Sequence, residues 1–308
     1  MRFPEKITLD SEPGTMKKEG MIFFWVVCMA LCWVQPVCAR EPADSLLSLE
    51  LSDGSVLKGI IVAENPDSLT FMTSSGLKIT LPKSIVRSRR IAHGRIVAGK
   101  FQRSDPNYTR LLFTPTGRPL RKGEGYFTDY YVFFPGIAYG LTNHLSIMAG
   151  ISLFPAIRFK EQMFYIAPRY GVELVEQFSL SGGLLYMNAG GDFAAGISFI
   201  TGTYGLPDKC ITAGLGVGFS TEEGDIEFAR YPILVWGGNL RLTNSLALVS
   251  ENWLITGEDI QISTQPFSLA ARFFGEHIAV DLGMILVPEI LDEGLPIPWL
   301  SFIYNFGG

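Results

Sequence analysis

From residue 109 onward the chain alternates apolar residues with small or polar ones, in runs of about 8 to 13 positions. In one run, Leu145, Ile147, Ala149, Ile151 and Leu153 alternate with Ser146, Met148, Gly150 and Ser152. Neighbouring residues of a β-strand face opposite sides, so each such run predicts a strand with one apolar face. The same pattern recurs at 178–186, 211–220 and 278–286.

The alternating runs predict twelve strands, with ten or fourteen left open. They fall at 109–115, 127–139, 145–154, 163–174, 178–188, 194–204, 210–219, 229–241, 246–256, 267–274, 278–287 and 298–306. Every second connection is short, as at 141–144 and 206–209, and the others are longer and more polar, as at 220–227 and 257–265. Short turns at one end and long loops at the other are typical of an antiparallel transmembrane barrel.

The chain ends in an aromatic strand, whose apolar face is formed by Leu300, Phe302, Tyr304 and Phe306. This strand, with the repeated strands before it, resembles the closing strand of bacterial outer-membrane β-barrels. The resemblance implies an all-β transmembrane barrel over 109–308 in the Gram-negative cell outer membrane, surrounded by its lipids. It also implies that the barrel-assembly machinery reads the last strand as an address, and that the short turns face the periplasm.

The front of the chain predicts export. Residues 21–34 are uncharged and apolar, Lys17 and Lys18 precede them, and Val37-Cys38-Ala39 follows with a cleavage-site pattern. We interpret 1–39 as a signal peptide, with Met16 as a possible start and an uncleaved anchor as the alternative. The mature chain then keeps Cys210 alone, which excludes a framework of internal disulfides.

Residues 46–92 predict a small β domain of five short strands joined by tight turns such as Ser52-Asp53-Gly54-Ser55. The passage LSDGSVLKGIIVAENPDSLTFMTSSGLKITLPKSIV resembles Sm-like and SH3-like small barrels. The resemblance implies an interaction module, and export favours a periplasmic protein or the cell wall as its partner. Residues 93–108 read as a basic linker, either a solvated segment or a contact for anionic lipid.

Composition supports a membrane barrel and excludes some other classes. The chain has 22 Phe, 11 Tyr and 5 Trp, with 18% charged residues, which is more aromatic than a soluble sandwich needs. Its net charge of −5 is not that of a nucleic-acid-binding protein. No nucleic-acid partner is expected.

Six charged residues fall on the faces that the alternation turns inward. They are Arg169, Glu173, Arg241, Glu251, Arg272 and Asp281. Arg272 and Asp281 are expected within reach of each other, and Arg241 and Glu251 likewise. These charges either line a pore for a small solute or fill the interior of a closed anchor for the small domain. No long internal plug is expected, and both hypotheses stay open.

Candidate chemistry is sparse. The histidines are His93, in the linker, and His144 and His277, in short turns at the wrong end for outer-leaflet chemistry. No nucleophile elbow or metal-ligand spacing is present, so no catalytic residue, metal or cofactor is expected. The alternatives are an outer-membrane lipid hydrolase and a surface-binding protein that acts through its extracellular loops. The sequence specifies no solute, partner or oligomeric state.

Overall fold

The computed structural model describes residues 46–92, 94–188, 193–222, 225–258, 261–291 and 294–307. The expected signal peptide, 1–39, lies outside these residues. Within them the protein is nearly all β, with a one-turn α-helix at Pro288–Leu291 and three short 3₁₀ turns. None of the described helices is long and apolar enough to span a membrane.

The first five strands form what we call the N-terminal sheet. They are β1 (Leu47–Leu51), β2 (Val56–Glu64), β3 (Ser68–Thr73), β4 (Lys78–Pro82) and β5 (Val86–Ile91). The sheet is antiparallel in the order β4-β3-β2-β1-β5, and Leu49, Leu69 and Phe71 are wholly buried in its core. The edge strands β4 and β5 share no ladder in the described residues, so the expected closed small barrel is not supported.

A two-stranded hairpin replaces much of the expected basic linker. It consists of β6 (Gly94–Val97) and β7 (Lys100–Arg103). The hairpin touches both neighbours: the Lys58 ammonium of β2 lies 4.1 Å from the centre of the Phe101 ring, and Arg95 donates to Asp208 over 2.6 Å. It therefore joins the N-terminal sheet to one end of the barrel.

The rest of the chain forms a closed antiparallel barrel of twelve strands, which confirms the expected barrel and its strand count. The wall strands are β8 (Gly125–Tyr130), β9 (Phe134–Gly140), β10 (Leu145–Ile151), β11 (Phe164–Val175), β12 (Phe178–Asn188), β13 (Ala194–Leu206), β14 (Lys209–Glu222), β16 (Ile233–Arg241), β17 (Leu246–Ile255), β18 (Phe267–Phe274), β19 (Ile278–Leu286) and β20 (Ile297–Phe306). Each pairs with its neighbours in sequence, and β20 pairs with β8 to close the wall. A short β15 (Asp225–Phe228) pairs only with the far end of β14.

Two of the expected wall strands were wrong. One of them is two strands and the other is not a wall strand, so the total of twelve is unchanged. The run 127–139 is divided between β8 and β9, because Tyr131 and Val132 have φ values of +54° and +67° and reverse the chain. The run 109–115 is not a wall strand and lies inside the barrel. Its only ladder is a single bridge between Arg110 and Pro115.

We name the two ends of the barrel by their connections. The turn end carries the short connections 141–144, 176–177, 207–208, 242–245 and 275–277, and the loop end carries longer ones such as 152–163 and 256–266. The start of β8 and the end of β20 pair at the turn end, and the N-terminal sheet lies there as well, through the Lys58–Glu276 ion pair of 3.5 Å.

The strand register gives the barrel an apolar outer face. Of the described wall residues, Asp129 and Lys209 are the charged ones with an outward phase, and both lie near strand ends. All other charges of the wall face the lumen by register. Closure of the wall pairs the backbone groups of the strands with one another, and the outer face is apolar between the strand ends. Both are conditions for β-strands to cross a bilayer.

Candidate functional site in the barrel lumen

A folded segment of the chain fills much of the lumen. This lumen hairpin, residues 105–120, enters and leaves at the turn end, where the Arg103 amide donates to Asn244 and the Gly123 amide to Gly140. Eleven of its residues are buried: Asp105, Asn107, Thr109, Arg110, Leu111, Leu112, Thr114, Thr116, Gly117, Arg118 and Leu120. The expectation of a lumen without an internal plug was therefore wrong.

The tip of the lumen hairpin is held by Glu251. One carboxylate oxygen accepts the backbone N–H groups of Leu112, Phe113 and Thr114 at 2.9–3.0 Å. The other oxygen accepts the indole N–H of Trp253 at 2.9 Å. A buried carboxylate with four donors is well satisfied, and each charge-assisted bond is stronger than a neutral one. Glu251 thus fixes the hairpin at its deepest point.

Arg272 and Asp281 form the expected pair on consecutive strands. They are directly opposite in register and share two hydrogen bonds, of 2.7 and 2.9 Å, with both side chains fully buried. Asp281 also faces the Arg110 guanidinium of the lumen hairpin at 3.3 Å, and Arg272 donates to the Leu111 carbonyl at 2.6 Å. The pair therefore binds the hairpin as well as itself.

The opposite wall contributes polar contacts without a carboxylate. Arg169 donates to the backbone carbonyls of Thr109 and Thr116 at 3.0 and 3.3 Å. The Ser181 hydroxyl donates to the same Thr116 carbonyl. Here the backbones come close: a Cβ on Gly117 would lie 2.2 Å from the Ser179 carbonyl oxygen, so glycine is required.

Two of the six expected charges lie at the turn end. Arg241 does not meet Glu251 and instead pairs with Asp208, in the β13–β14 turn. Asp208 also binds Arg95, so this cluster ties the β6–β7 hairpin to the barrel. Glu173 is on the inward face by register but is exposed to solvent.

The closing strand, β20, carries the predicted apolar and aromatic face on the outside of the barrel. Leu300, Phe302 and Tyr304 are exposed on the outer surface, and Phe306 is partly buried. Trp299, Ser301 and Ile303, between them, are buried inside. The aromatic face is therefore available to the bilayer.

Between the lumen hairpin and the wall a cavity of about 100 Å³ remains. Its lining is mainly apolar and includes Tyr165, Leu185, Ile197, Phe199, Val235 and Trp253. Arg110 and Arg169 also line it. The cavity brings together two arginines and an apolar wall, a combination that the sequence did not predict.

Potentially reactive side chains take part in structural contacts. His144 and His277 lie at the turn end, each with Nδ1 3.2 Å from a backbone carbonyl, of Gly171 and Asn305 respectively. His93 lies outside the described residues. Cys210 is a buried free thiol.

Sequence reasoning missed the lumen hairpin and its arginines, Arg110 and Arg118. A signal was present: Pro106, Pro115 and Pro119 interrupt the segment, with Gly117 between the last two. Proline cannot donate to a ladder and is rare in central strands. This spacing argues against a wall strand over 109–115.

Comparison with known proteins gives only distant similarity. No protein-family model and no curated protein matches the chain. A solved structure of the KdgM porin in complex with disordered oligogalacturonate is similar over 60% of this chain and 98% of its own, at 8% identity and a TM-score of 0.44. The Salmonella typhi OmpF complex with daunomycin is similar over 85% and 95%, at 10% identity and a TM-score of 0.32. Similarity this low leaves the function to be argued from the chain's own residues.

Proposed function

We propose that the protein is an outer-membrane β-barrel whose lumen is closed by its own hairpin and which anchors the N-terminal sheet on the periplasmic side. The observation that carries the proposal is the hairpin of residues 105–120, which is buried inside the wall and bound to it on opposite sides. Glu251 and Arg272 bind it from one side, and Arg169 and Ser181 from the other.

The outer face supports the membrane part of this proposal. Outward charges near the middle of a bilayer cost about 2–4 kcal/mol for each arginine or lysine. The wall has no described charge there, because its arginines and most of its carboxylates face the lumen. The aromatic closing strand and the short-turn end then orient the N-terminal sheet toward the periplasm.

The contacts at the turn end support the anchoring part. The N-terminal sheet and the β6–β7 hairpin reach the barrel through Lys58–Glu276 and Arg95–Asp208. The chain continues from β7 directly into the lumen hairpin. A force on the N-terminal sheet is therefore transmitted to the lumen hairpin, which is hydrogen-bonded to the wall. An Sm-like or SH3-like interaction role, with a periplasmic protein or cell-wall partner, is part of the proposal and rests on the sequence resemblance.

Single-channel recording tests the closed lumen. The refolded protein in a planar bilayer is expected to give no stable conductance steps, because the hairpin is held by charge-assisted bonds. The Glu251→Ala variant removes the acceptor of three tip N–H groups and is expected to give intermittent openings. Heat-shifted mobility on a gel checks that each barrel is folded.

The matched control is Glu276→Ala, which removes an exposed carboxylate at the turn end. It is expected to be as silent as the parent protein. Stable steps in the parent protein would reject the closed lumen and favour a constitutive solute pore. Failure of Glu251→Ala to open would show that the tip contacts do not keep the lumen shut.

A gated pore is the second candidate. It is favoured by one observation: inside the lumen the hairpin is held by hydrogen bonds and an ion pair, and the chain enters it directly from β7, beside the N-terminal sheet. A partner that pulls the sheet would draw the hairpin outward. The lipid-hydrolase alternative gains no support, because both described histidines lie beside backbone carbonyls at the turn end. The surface-binding alternative gains no support from the contacts described above.

A further inference from the structure

The cavity beside the lumen hairpin has a defined polarity. On β11, Arg169 is followed toward the loop end by Ala167 and Tyr165, and on β13, Thr201 is followed by Phe199 and Ile197. These residues share the inward face by register and line the cavity. Its polar side is therefore nearer the turn end, and its apolar side nearer the loop end.

The polar side carries positive charge that the protein does not fully neutralise. Arg169 is 8% exposed, and both of its hydrogen bonds go to backbone carbonyls. It has no ion pair within the described part of the chain. Arg110 is 3% exposed, and its Nε has no partner there, while its other nitrogens bond Asp281 and the Leu112 carbonyl.

The inward carboxylates of the neighbouring wall strands do not neutralise Arg169. Asp281 already accepts two hydrogen bonds from Arg272 and one from Ser301. Glu251 is occupied by the hairpin tip and Trp253. Buried charges are normally paired, so an unpaired arginine beside a cavity is a place for an anion.

We propose that this cavity binds a small amphipathic anion, with a carboxylate or similar head group at Arg169 and Arg110 and a short apolar tail among Leu185, Ile197 and Val235. The volume of about 100 Å³ suits a short chain, since an apolar cavity of about 150 Å³ holds benzene. The inference rests on the proposed closed lumen, because Arg110 and part of the cavity wall belong to the lumen hairpin. Single-channel recording tests the closure itself, so its failure is distinguished from a failure of the ligand titration.

Calorimetric titration of the refolded protein in zwitterionic nanodiscs tests it, with empty nanodiscs subtracted. The probes are butyrate, butanol and acetate. Butyrate is expected to bind at one site, about tenfold to a hundredfold more tightly than butanol, because a charge-assisted head-group contact is lost in the alcohol. Acetate, which lacks two methylene groups of the tail, is expected to bind about tenfold more weakly than butyrate.

Two variants locate the site. Arg169→Gln is expected to abolish the preference for butyrate over butanol, whereas Arg118→Gln is expected to keep it, since Arg118 is a buried hairpin arginine that does not line the cavity. Ala167→Phe fills the cavity and is expected to remove binding of both probes. Its control, Ala149→Phe, adds the same ring on the outer face of the neighbouring strand β10.

Equal affinities of the parent protein for butyrate and butanol would overturn the proposal, as would no binding of butyrate at all. Unchanged binding in Ala167→Phe would place the site elsewhere and also overturn it. If Ala167→Phe loses the heat-shifted mobility of a folded barrel, Ala167→Leu takes its place, and the comparison of probes on the parent protein still decides.

Discussion

The N-terminal sheet and the barrel are built from the same alternating antiparallel strands, yet only the barrel buries charged residues among those that the structure describes. In the sheet, Leu69 and Phe71 are 0% exposed. In the barrel, Arg272 and Asp281 are 0% exposed, while Leu282, next to Asp281 on β19, is 48% exposed. In the barrel wall, burial therefore does not follow hydrophobicity alone.

The difference follows from what surrounds each part. Water around the N-terminal sheet drives apolar side chains together. The bilayer that we propose around the barrel gives no such drive, so apolar residues face outward and the polar groups must satisfy one another inside. The lumen hairpin is the partner that makes this possible, because it supplies backbone N–H and C=O groups to the inward charges.

The largest expected effect comes from breaking the buried pair in the barrel. Asp281→Asn leaves Arg272 and Arg110 without their carboxylate. Removing one partner of a buried ion pair costs about 3–5 kcal/mol. We expect the free energy of unfolding of the barrel, measured by urea titration in lipid vesicles, to fall by about that amount.

The control for this change is Asp225→Asn, which alters an exposed carboxylate on β15. It is expected to stay within about 0.5 kcal/mol of the parent protein. A loss in Asp281→Asn as small as the control's would mean that the lumen network does not stabilise the barrel.

A somewhat smaller effect is expected from a charge on the outward face of β19, the strand that carries Asp281. Leu282→Arg places a charge toward the lipid and is expected to lower the free energy of unfolding by about 2–4 kcal/mol. Ile278→Arg introduces the same residue at the turn-end start of β19, near the interface, where the expected cost is about 0–1 kcal/mol. Equal losses in the two variants of the vesicle assay would contradict a membrane-facing surface.

Most strand positions could be predicted from the sequence, because the alternation of apolar with small or polar residues is a local property of the chain. The turns of the N-terminal sheet and the faces of β10, β12, β14 and β19 follow from alternation alone. Which face is inward in the barrel also followed, since the charges of residues such as Arg272 and Glu251 occupy only one phase. The five-stranded order of the sheet required the structure, as did the absence of a β4–β5 ladder.

The lumen hairpin was not readable in the same way. Residues 109–115 contain alternating apolar positions, yet their fate depends on partners about 140 to 170 residues away, such as Glu251 and Asp281. No local pattern encodes such contacts. The expected Arg241–Glu251 pair failed for the same reason: Glu251 meets the hairpin, and Arg241 meets Asp208.

An arginine on the water-facing strands of the N-terminal sheet should change stability very little, in contrast to the arginine of Leu282→Arg in the barrel. Thr80 is exposed on β4. Thr80→Arg is expected to change the local stability of the N-terminal sheet by no more than about 0.5 kcal/mol. Amide hydrogen exchange over β1 to β5 measures this, and a loss comparable with that of Leu282→Arg would show that the face is covered by another surface.

The smallest expected effect is electrostatic and belongs to the N-terminal sheet alone. Hydrogen bonds from Lys83 and then Arg89 hold the pKa of Glu64 below its usual value of 4.5. A carboxyl whose folded pKa is lowered stabilises the folded state above the unfolded pKa, and this contribution disappears as the pH falls through the folded value. Normalised amide protection of the sheet should therefore be slightly greater in the parent protein than in Glu64→Gln at about pH 6, and the difference should shrink as the pH falls below 4.5 and through the lowered pKa of Glu64. A difference that stays constant as the pH falls would assign the effect of the substitution to packing, since a protonated Glu64 no longer carries the charge that Lys83 and Arg89 stabilise.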